Sequence, residues 1–529
     1  MSSAEAHAPV AKHRWWTLVA VCLATFMLLL DITVVNVALP AIQRALDAGF
    51  EDLQWVVDAY ALALAALLLT AGSLADRYGR RRVFTLGLAA FSLASLGCAL
   101  APSPLALTLA RGLQGVGGAM MFSTSLALIA QTYSGRDRGV AFGVWGAVTG
   151  FAVAVGPLVG GALTEWLGWE WIFLVNLPIG AGTIALTLAR VAEARAPRGA
   201  RLDLPGLVSF STALAMLVFA LIRANDLGWG STTIVVLLVG TAALLVVFGA
   251  VELRAASPML DLRLFSKPAF AGAQVAAFAL SASMFAMFLY LTLYIQNGLG
   301  FSPLETGLRF LPVSMLSFLV APVAGRLSAR LPVRVFLGAG LACIAVGLLL
   351  MRGLEPSSEW TDLLPGFVVA GIGIGLTNPP LASAAIGVVE PALSGTASGI
   401  NSTFRQVGIA TGIAGLGAAF QAQVRNHVAA VLGHLPGFAA GRVDALAEAI
   451  ASGGGAGGGA AAAGAPPGAR AAVAEAVRGG FVAGLDEALL IAAIVALAGS
   501  VLALTLVRRR DFAAAPAGPE AACPEPSAA

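Results

Sequence analysis

Fourteen apolar runs of about twenty residues follow one another along this 529-residue chain. They lie at roughly 15–39, 53–73, 83–101, 104–130, 139–165, 170–190, 204–222, 232–252, 270–296, 304–325, 333–351, 362–388, 395–423 and 482–507. An α-helix rises about 1.5 Å per residue, so about 20 apolar residues cross a hydrocarbon core about 30 Å thick. The expectation is an all-α polytopic membrane protein with 14 transmembrane helices. Composition excludes the alternatives. Hydrophobic residues make up 58% and charged residues 11%, against about 25% charged in a soluble domain. That is too little charge to cover a soluble surface and too much hydrophobicity for disorder. A net charge of +3 gives no footprint for nucleic acid.

The basic residues set an orientation. Of 31, 21 fall on the side of the termini, 7 on the opposite side, and Arg111, Arg309 and Arg405 within spans. Positive charge stays cytoplasmic, so both termini are expected in the cytoplasm. Only Lys12 and Lys267 are lysines, a bias that with the abundant Ala and Gly suggests a GC-rich bacterial genome; the expected location is a bacterial cytoplasmic (inner) membrane. Lys12, His13 and Arg14 begin the first run as in a secretory leader. The run continues to about Pro40, beyond a leader's roughly 7–15 apolar residues, so an uncleaved helix is expected.

An internal repeat divides the chain. The loop after the second run reads Gly72-Ser-Leu-Ala-Asp76-Arg77-Tyr78-Gly79-Arg80-Arg81-Arg82, and the loop after the tenth reads Gly325-Arg326-Leu327-Ser328-Ala329-Arg330-Leu331-Pro332. Each follows the second helix of a six-helix block. The expected organisation is a cytoplasmic N-terminus (1–14), an N-terminal six-helix half (15–190), a cytoplasmic linker (191–203), two additional helices (204–252), a C-terminal six-helix half (253–507) with a long external loop (425–481), and a disordered cytoplasmic tail (508–529). Residues 452–470 form a flexible Gly/Ala-rich tract in that loop. Duplicated six-helix halves suggest a transporter with its path between them.

Cysteines Cys22, Cys98, Cys343 and Cys523 stand singly, and none of the four histidines lies in an apolar run. No metal site or cofactor is expected. A phosphate-binding GxxxxGK[ST] loop needs a lysine that neither Lys12 nor Lys267 provides. A membrane enzyme would need a polar catalytic cluster, for which the external loop offers only His427, His434, Asp444 and Glu448 in a Gly/Ala-rich context.

Charges within spans are the candidate machinery, because each costs about 2.5–3.5 kcal/mol at the bilayer centre. Asp31 and Arg111 fall at similar depth in the outer half of the membrane. They can pair, with Asp31 binding and releasing a coupling proton and Arg111 tuning it; the alternative is an ion pair that fixes packing. Asp58 lies on the same helix face as Trp55, a carboxylate beside an aromatic that suits a cationic, lipophilic guest. Asp31 and Asn36 point about 140° apart, so one lines the path and the other bonds between helices. Asn401, Arg405 and Gln406 cluster in the thirteenth span as path or gate residues. Glu305 and Arg309, four residues apart, are expected to form a local pair. Gly72, Asp76, Arg77, Gly79 and Arg80 make a tight basic turn in which Asp76 pairs with arginines or caps the next helix. Gly156, Pro157, Gly160 and Gly161 give a kink and a small-residue face for close packing at the seam between halves.

Four motifs in order carry a resemblance to the major facilitator superfamily. They are Leu30-Asp31-Ile-Thr-Val-Val-Asn36-Val-Ala-Leu-Pro40, the Gly72–Arg82 loop, Arg111-Gly-Leu-Gln114-Gly-Val-Gly-Gly118, and Gly150 through Gly156-Pro157-Leu-Val-Gly160-Gly161. More narrowly, the chain resembles the fourteen-span drug:proton antiporters of the EmrB/QacA type. It departs at Glu170, where relatives usually carry Arg. The resemblance implies a 6+2+6 major facilitator fold and alternating access driven by the proton-motive force. It also implies a latch at the Gly72–Arg82 loop and, from the Gly150–Gly161 segment, an exporter. The partners implied are small lipophilic substrates, protons and the bilayer, with any periplasmic or outer-membrane partner left open. Multidrug efflux is the expected function; a dedicated exporter of one metabolite or antibiotic is the alternative, and a membrane enzyme the remote one.

Overall fold

A computed structural model describes residues 8–193, 203–255, 258, 260–328, 330–390, 393–432, 446 and 470–508. Most of the expected linker, of the Gly-rich tract and of the tail lies outside them, as do Ala329, His434, Asp444, Glu448 and the side chains of Asn36 and Pro157.

Helices dominate the described residues, running in order as α1 (Ala8–Leu46), α2 (Phe50–Tyr78), α3 (Arg80–Ala99), α4 (Pro104–Thr132), α5 (Gly135–Trp166), α6 (Asn176–Arg190), α7 (Leu204–Leu227) and α8 (Thr232–Arg254). After them come α9 (Pro268–Leu280), α10 (Leu311–Leu327), α11 (Val333–Leu350), α12 (Leu364–Gly387), α13 (Ser394–Leu432) and α14 (Arg470–Leu506). Local chemistry sets several ends. Ser103 accepts from the Ala106 N–H ahead of Pro104, and Asp203 accepts from Gly206 N–H ahead of Pro205. Gly79, at φ 111°, breaks α2 from α3 in a conformation that disfavours a side chain. The helix α9 continues through π turns at Ser281–Phe285 and Tyr294–Gly298.

Twelve helices among the described residues are long and apolar enough to cross a membrane. The twelve do not include α5 or α10, which stand at the expected fifth and tenth spans. The run 304–325 is not one helix: Pro303–Arg309 ends at Phe310 and α10 begins with Pro312 near its N-terminus, where a missing N–H is tolerated. The expected loop 425–481 is helical at both ends, because α13 extends to Leu432 and α14 starts at Arg470.

Two sets of helices pack in the same way. In the first, α2 lies on α4, α3 on α4 and α6, and α1 on α5 and α6. In the second, α10 lies on α12, α11 on α12 and α14, and α9 on α13 and α14. The two sets meet along α2 with α13 and along α5 with α10 and α12. The pair α7–α8 stands apart, with α7 against α2 and α13 and α8 against α7. A chain of contacts marks one end of the bundle, here the terminal end. Tyr133 Oη, just past α4, donates to the Arg14 carbonyl on α1, Asp76 on α2 meets the start of α13, and Gly338 on α11 meets Leu504 on α14.

Candidate functional site

Asp31 sits at the centre of a polar network enclosed by α1, α2, α3, α4 and α6. It is 2% exposed, Arg111 1% and Gln114 0%. Arg111 Nη1 donates to Asp31 Oδ2 at 2.5 Å and to Gln114 Oε1 at 2.6 Å, and its Nε donates to the Val56 carbonyl at 3.1 Å. Asp31 Oδ1 accepts from Gln114 Nε2 at 2.8 Å and from Asn176 Nδ2 at 3.1 Å. Ser95 Oγ accepts from the same two amides and donates to the Phe91 carbonyl. The Tyr60 ring lies 4.2 Å below the guanidinium, while its hydroxyl is buried with no partner. A short, charge-assisted pair with further donors on the carboxylate holds Asp31 in a fixed geometry. Protonation would convert one of its oxygens from acceptor to donor and force the surrounding amides to rearrange. Asp31 and Arg111, expected at similar depth, are bonded to each other. Ser95, Asn176 and Tyr60, which complete the network, were not among the expected residues. Gln114 was legible, three residues after Arg111 on the same helix face.

The second cluster closes the terminal end. Asp76, in the last turn of α2, accepts from the N–H groups of Gly395 at 2.9 Å and Thr396 at 2.7 Å and from Thr396 Oγ1 at 3.1 Å. Arg80 Nε and Nη2 donate to the same carboxylate at 3.0 and 2.8 Å. The expected arginine pairing is present, but the helix that Asp76 caps is α13 of the other set, not the next helix α3. A carboxylate at a helix start meets free N–H groups and the positive end of the helix dipole. The cap of α3 comes instead from Glu193, which accepts from the N–H of Arg81 and Arg82. A Cβ on Gly72 would collide with the Gly395 carbonyl. The same approach recurs between Gly325 on α10 and Gly139 on α5, where Ser328 donates only to its own helix. Arg77 is half-buried in the last turn of α2.

Glycines on α5 divide between two neighbours, which corrects the expected seam. Gly143 faces Pro322 on α10, Gly146 faces Asn378 and Pro379 on α12, and Gly150 faces Ser317 on α10. Gly156 and Gly160 turn instead to Thr33 and Val34 on α1, in their own half, and Gly161 meets nothing. The reason is helical periodicity: positions 143, 146 and 150 share a stripe, and 156 and 160 lie roughly 90° round from it.

On α13, Arg405 Nη2 donates to Asn378 Oδ1 at 2.9 Å and Nε to Asn401 Oδ1 at 3.4 Å. Asn401 Nδ2 donates to Gln274 Oε1 on α9 at 3.2 Å. Gln406 is half-buried beside them. Trp55 packs on Phe219 of α7, with the Arg223 guanidinium 5.2 Å from its ring, and Asp58 is half-buried one turn further. Glu305 and Arg309 do not pair through their side chains. Glu305 closes a capping box with Ser302, and Arg309 stacks 3.3 Å from the Phe301 ring. A helix-start carboxylate finds N–H groups nearer than a cation one turn on.

Two packed six-helix sets with a buried carboxylate–arginine centre define a polytopic helical transporter. The model of the Major Facilitator Superfamily matches residues 21–413. The chain is 39% identical over 407 residues to the multidrug resistance protein Stp of Mycobacterium tuberculosis, covering 77% of this chain and 76% of that protein. It is 40% identical over 408 residues to the puromycin resistance protein pur8 of Streptomyces alboniger, covering 76% and 80%. Its fold matches the proton:xylose symporter XylE with a TM-score of 0.56 at 12% identity, over 84% of this chain and 95% of that one. The chain belongs to the Major Facilitator Superfamily. It is a multi-pass membrane protein of a family that moves small substrates across membranes, and not an enzyme.

Proposed function

We propose that the chain is a proton-coupled drug exporter that works by alternating access across the bacterial inner membrane, with both termini cytoplasmic. Its fourteen helices divide as 6+2+6, and the repeated packing of the two sets supports that division. The carrying observation is the buried Asp31–Arg111–Gln114–Asn176 network. It contains one proton-binding group, held where its charge state is coupled to the packing of two other helices, α4 and α6. Protonation from the outside releases that packing, and loss of the proton to the cytoplasm restores it. Asp76 latches the cytoplasmic end while the path faces outward. Lipophilic and cationic drugs enter beside Trp55 and Asp58, with Asn36 and Gln406 further along the path. Relatives named for multidrug resistance support broad cargo. The relative named for resistance to puromycin favours the second reading, a dedicated exporter protecting against one antibiotic. Inverted membrane vesicles test the proposal: a pH gradient should drive uptake of cationic dyes, and a protonophore should abolish it. Uptake that ignores the protonophore would sink the coupling.

A further inference from the structure

The cluster on α9, α12 and α13 is a buried cation without a carboxylate. Arg405 is 5% exposed, and no acidic side chain among the described residues lies in ion-pair range of it. In the first half, Arg111 is neutralised by Asp31. A guanidinium only donates. Asn378 and Asn401 must therefore turn their oxygens to Arg405, as they do. That commits Asn401 Nδ2 to donate outward, to Gln274 Oε1. Each of the three amide oxygens is taken, and the chain ends on Gln274 Nε2, which is buried with no partner on a residue 1% exposed. The unmet capacity is N–H donors and one positive charge. Such a site complements an acceptor that is itself negative.

The fold does not require this cluster. Gly139 and Gly395 occupy equivalent places on α5 and α13, each against the glycine of the other set's repeated loop. Six residues on, Trp145 is the counterpart of Asn401. Trp145 Nε1 donates to Thr25 on α1, as Asn401 donates to Gln274 on α9. The first half fills the position with an indole and a hydroxyl; the second fills it with amides and a guanidinium. Asn378 also touches Gly146 of α5 across the seam, so the cluster borders the surface at which the halves part.

We propose that Arg405, Asn401, Asn378 and Gln274 form an anion subsite on the substrate path, taking the carboxylate or ionised phenol oxygen of a cargo molecule. This rests on the exporter reading and names a cargo class for it. An inorganic anion shares the same chemistry, so the test separates the two. Thermal unfolding of the purified full chain would be followed with added sodium benzoate, with added sodium chloride at equal ionic strength, and with neutral benzamide. Ligand that binds the folded state stabilises it by RT ln(1 + [L]/Kd) and so raises the unfolding temperature. The expected result is a rise with benzoate that grows with the logarithm of its concentration, with no rise from benzamide and a smaller one from chloride. Arg405→Gln should abolish it. Gln274→Glu should abolish it too, because the new carboxylate supplies the counter-charge, while leaving the protein at least as stable as wild type without ligand; this controls for misfolding. An unchanged benzoate response in Arg405→Gln would overturn the proposal, as would no response in wild type or a chloride response equal to that of benzoate. Dye uptake in vesicles is a separate readout: its failure counts against the exporter, and absence of the benzoate response counts against the subsite.

Discussion

Three donors from two helices converge on the Asp31 carboxylate: Arg111 and Gln114 from α4 and Asn176 from α6. Removing the cation while leaving the acid is costly in such a place. Arg111→Leu should destabilise the protein by about 3–5 kcal/mol, read as a lower unfolding temperature of the purified chain. Tyr60 separates ring from hydroxyl. Its ring faces the guanidinium, and its hydroxyl has no partner. Tyr60→Phe should therefore change stability by less than about 1 kcal/mol, whereas Tyr60→Ala loses a desolvated cation–π contact of about 2 kcal/mol and the ring's packing. Equal losses in the two variants would show that the hydroxyl matters. Asp31 and Arg111 were legible because charge in an apolar run is conspicuous and depth follows from helical rise. Ser95 and Asn176 were not, since a lone serine or asparagine in such a run reads as an ordinary interhelical bond. Only the fold brings residues 31, 95, 111 and 176 to one point.

At the scale of the element, α2 and α13 are joined by a carboxylate over a helix start and by the contact of Gly72 with Gly395. Charge-assisted hydrogen bonds of this kind contribute about 1.5–3 kcal/mol each. Asp76→Ala should shift the equilibrium towards a parted terminal end by at least about tenfold, the equivalent of about 1.4 kcal/mol. Thiol labelling of a cysteine placed at Ser394 reads that shift, against a background lacking the native cysteines. Labelling no faster than in the Asp76 protein would remove the latch. The second copy of the loop has the glycine approach of Gly325 and Gly139 without a described carboxylate. Gly325→Leu should accordingly part the helices through bulk alone. The repeated loop was legible in sequence, but its partner was not: residues 76 and 395 are 319 apart, and nothing local to Asp76 points to α13. The division of the α5 glycines was legible in principle, because counting 100° per residue from Gly150 already separates Gly156 from the seam.

Over the whole molecule, the two sets share a packing plan but not a chemistry. The first encloses a neutralised acid–base pair, and the second encloses an arginine held by amides. A repeat of this kind keeps the hinge and seam alike while leaving the interiors free to specialise. In the proposed division of labour the first half handles the proton and the second handles cargo, with α7 bridging α2 and α13. The most direct test of the central claim uses wild type and Asp31→Asn in inverted vesicles, comparing dye accumulation under a pH gradient with dye exchange at equilibrium. The account predicts that Asp31→Asn loses gradient-driven accumulation and keeps exchange, because the amide, like the protonated acid, offers one acceptor and one donor and cannot cycle a proton. Full gradient-driven accumulation by Asp31→Asn would contradict it.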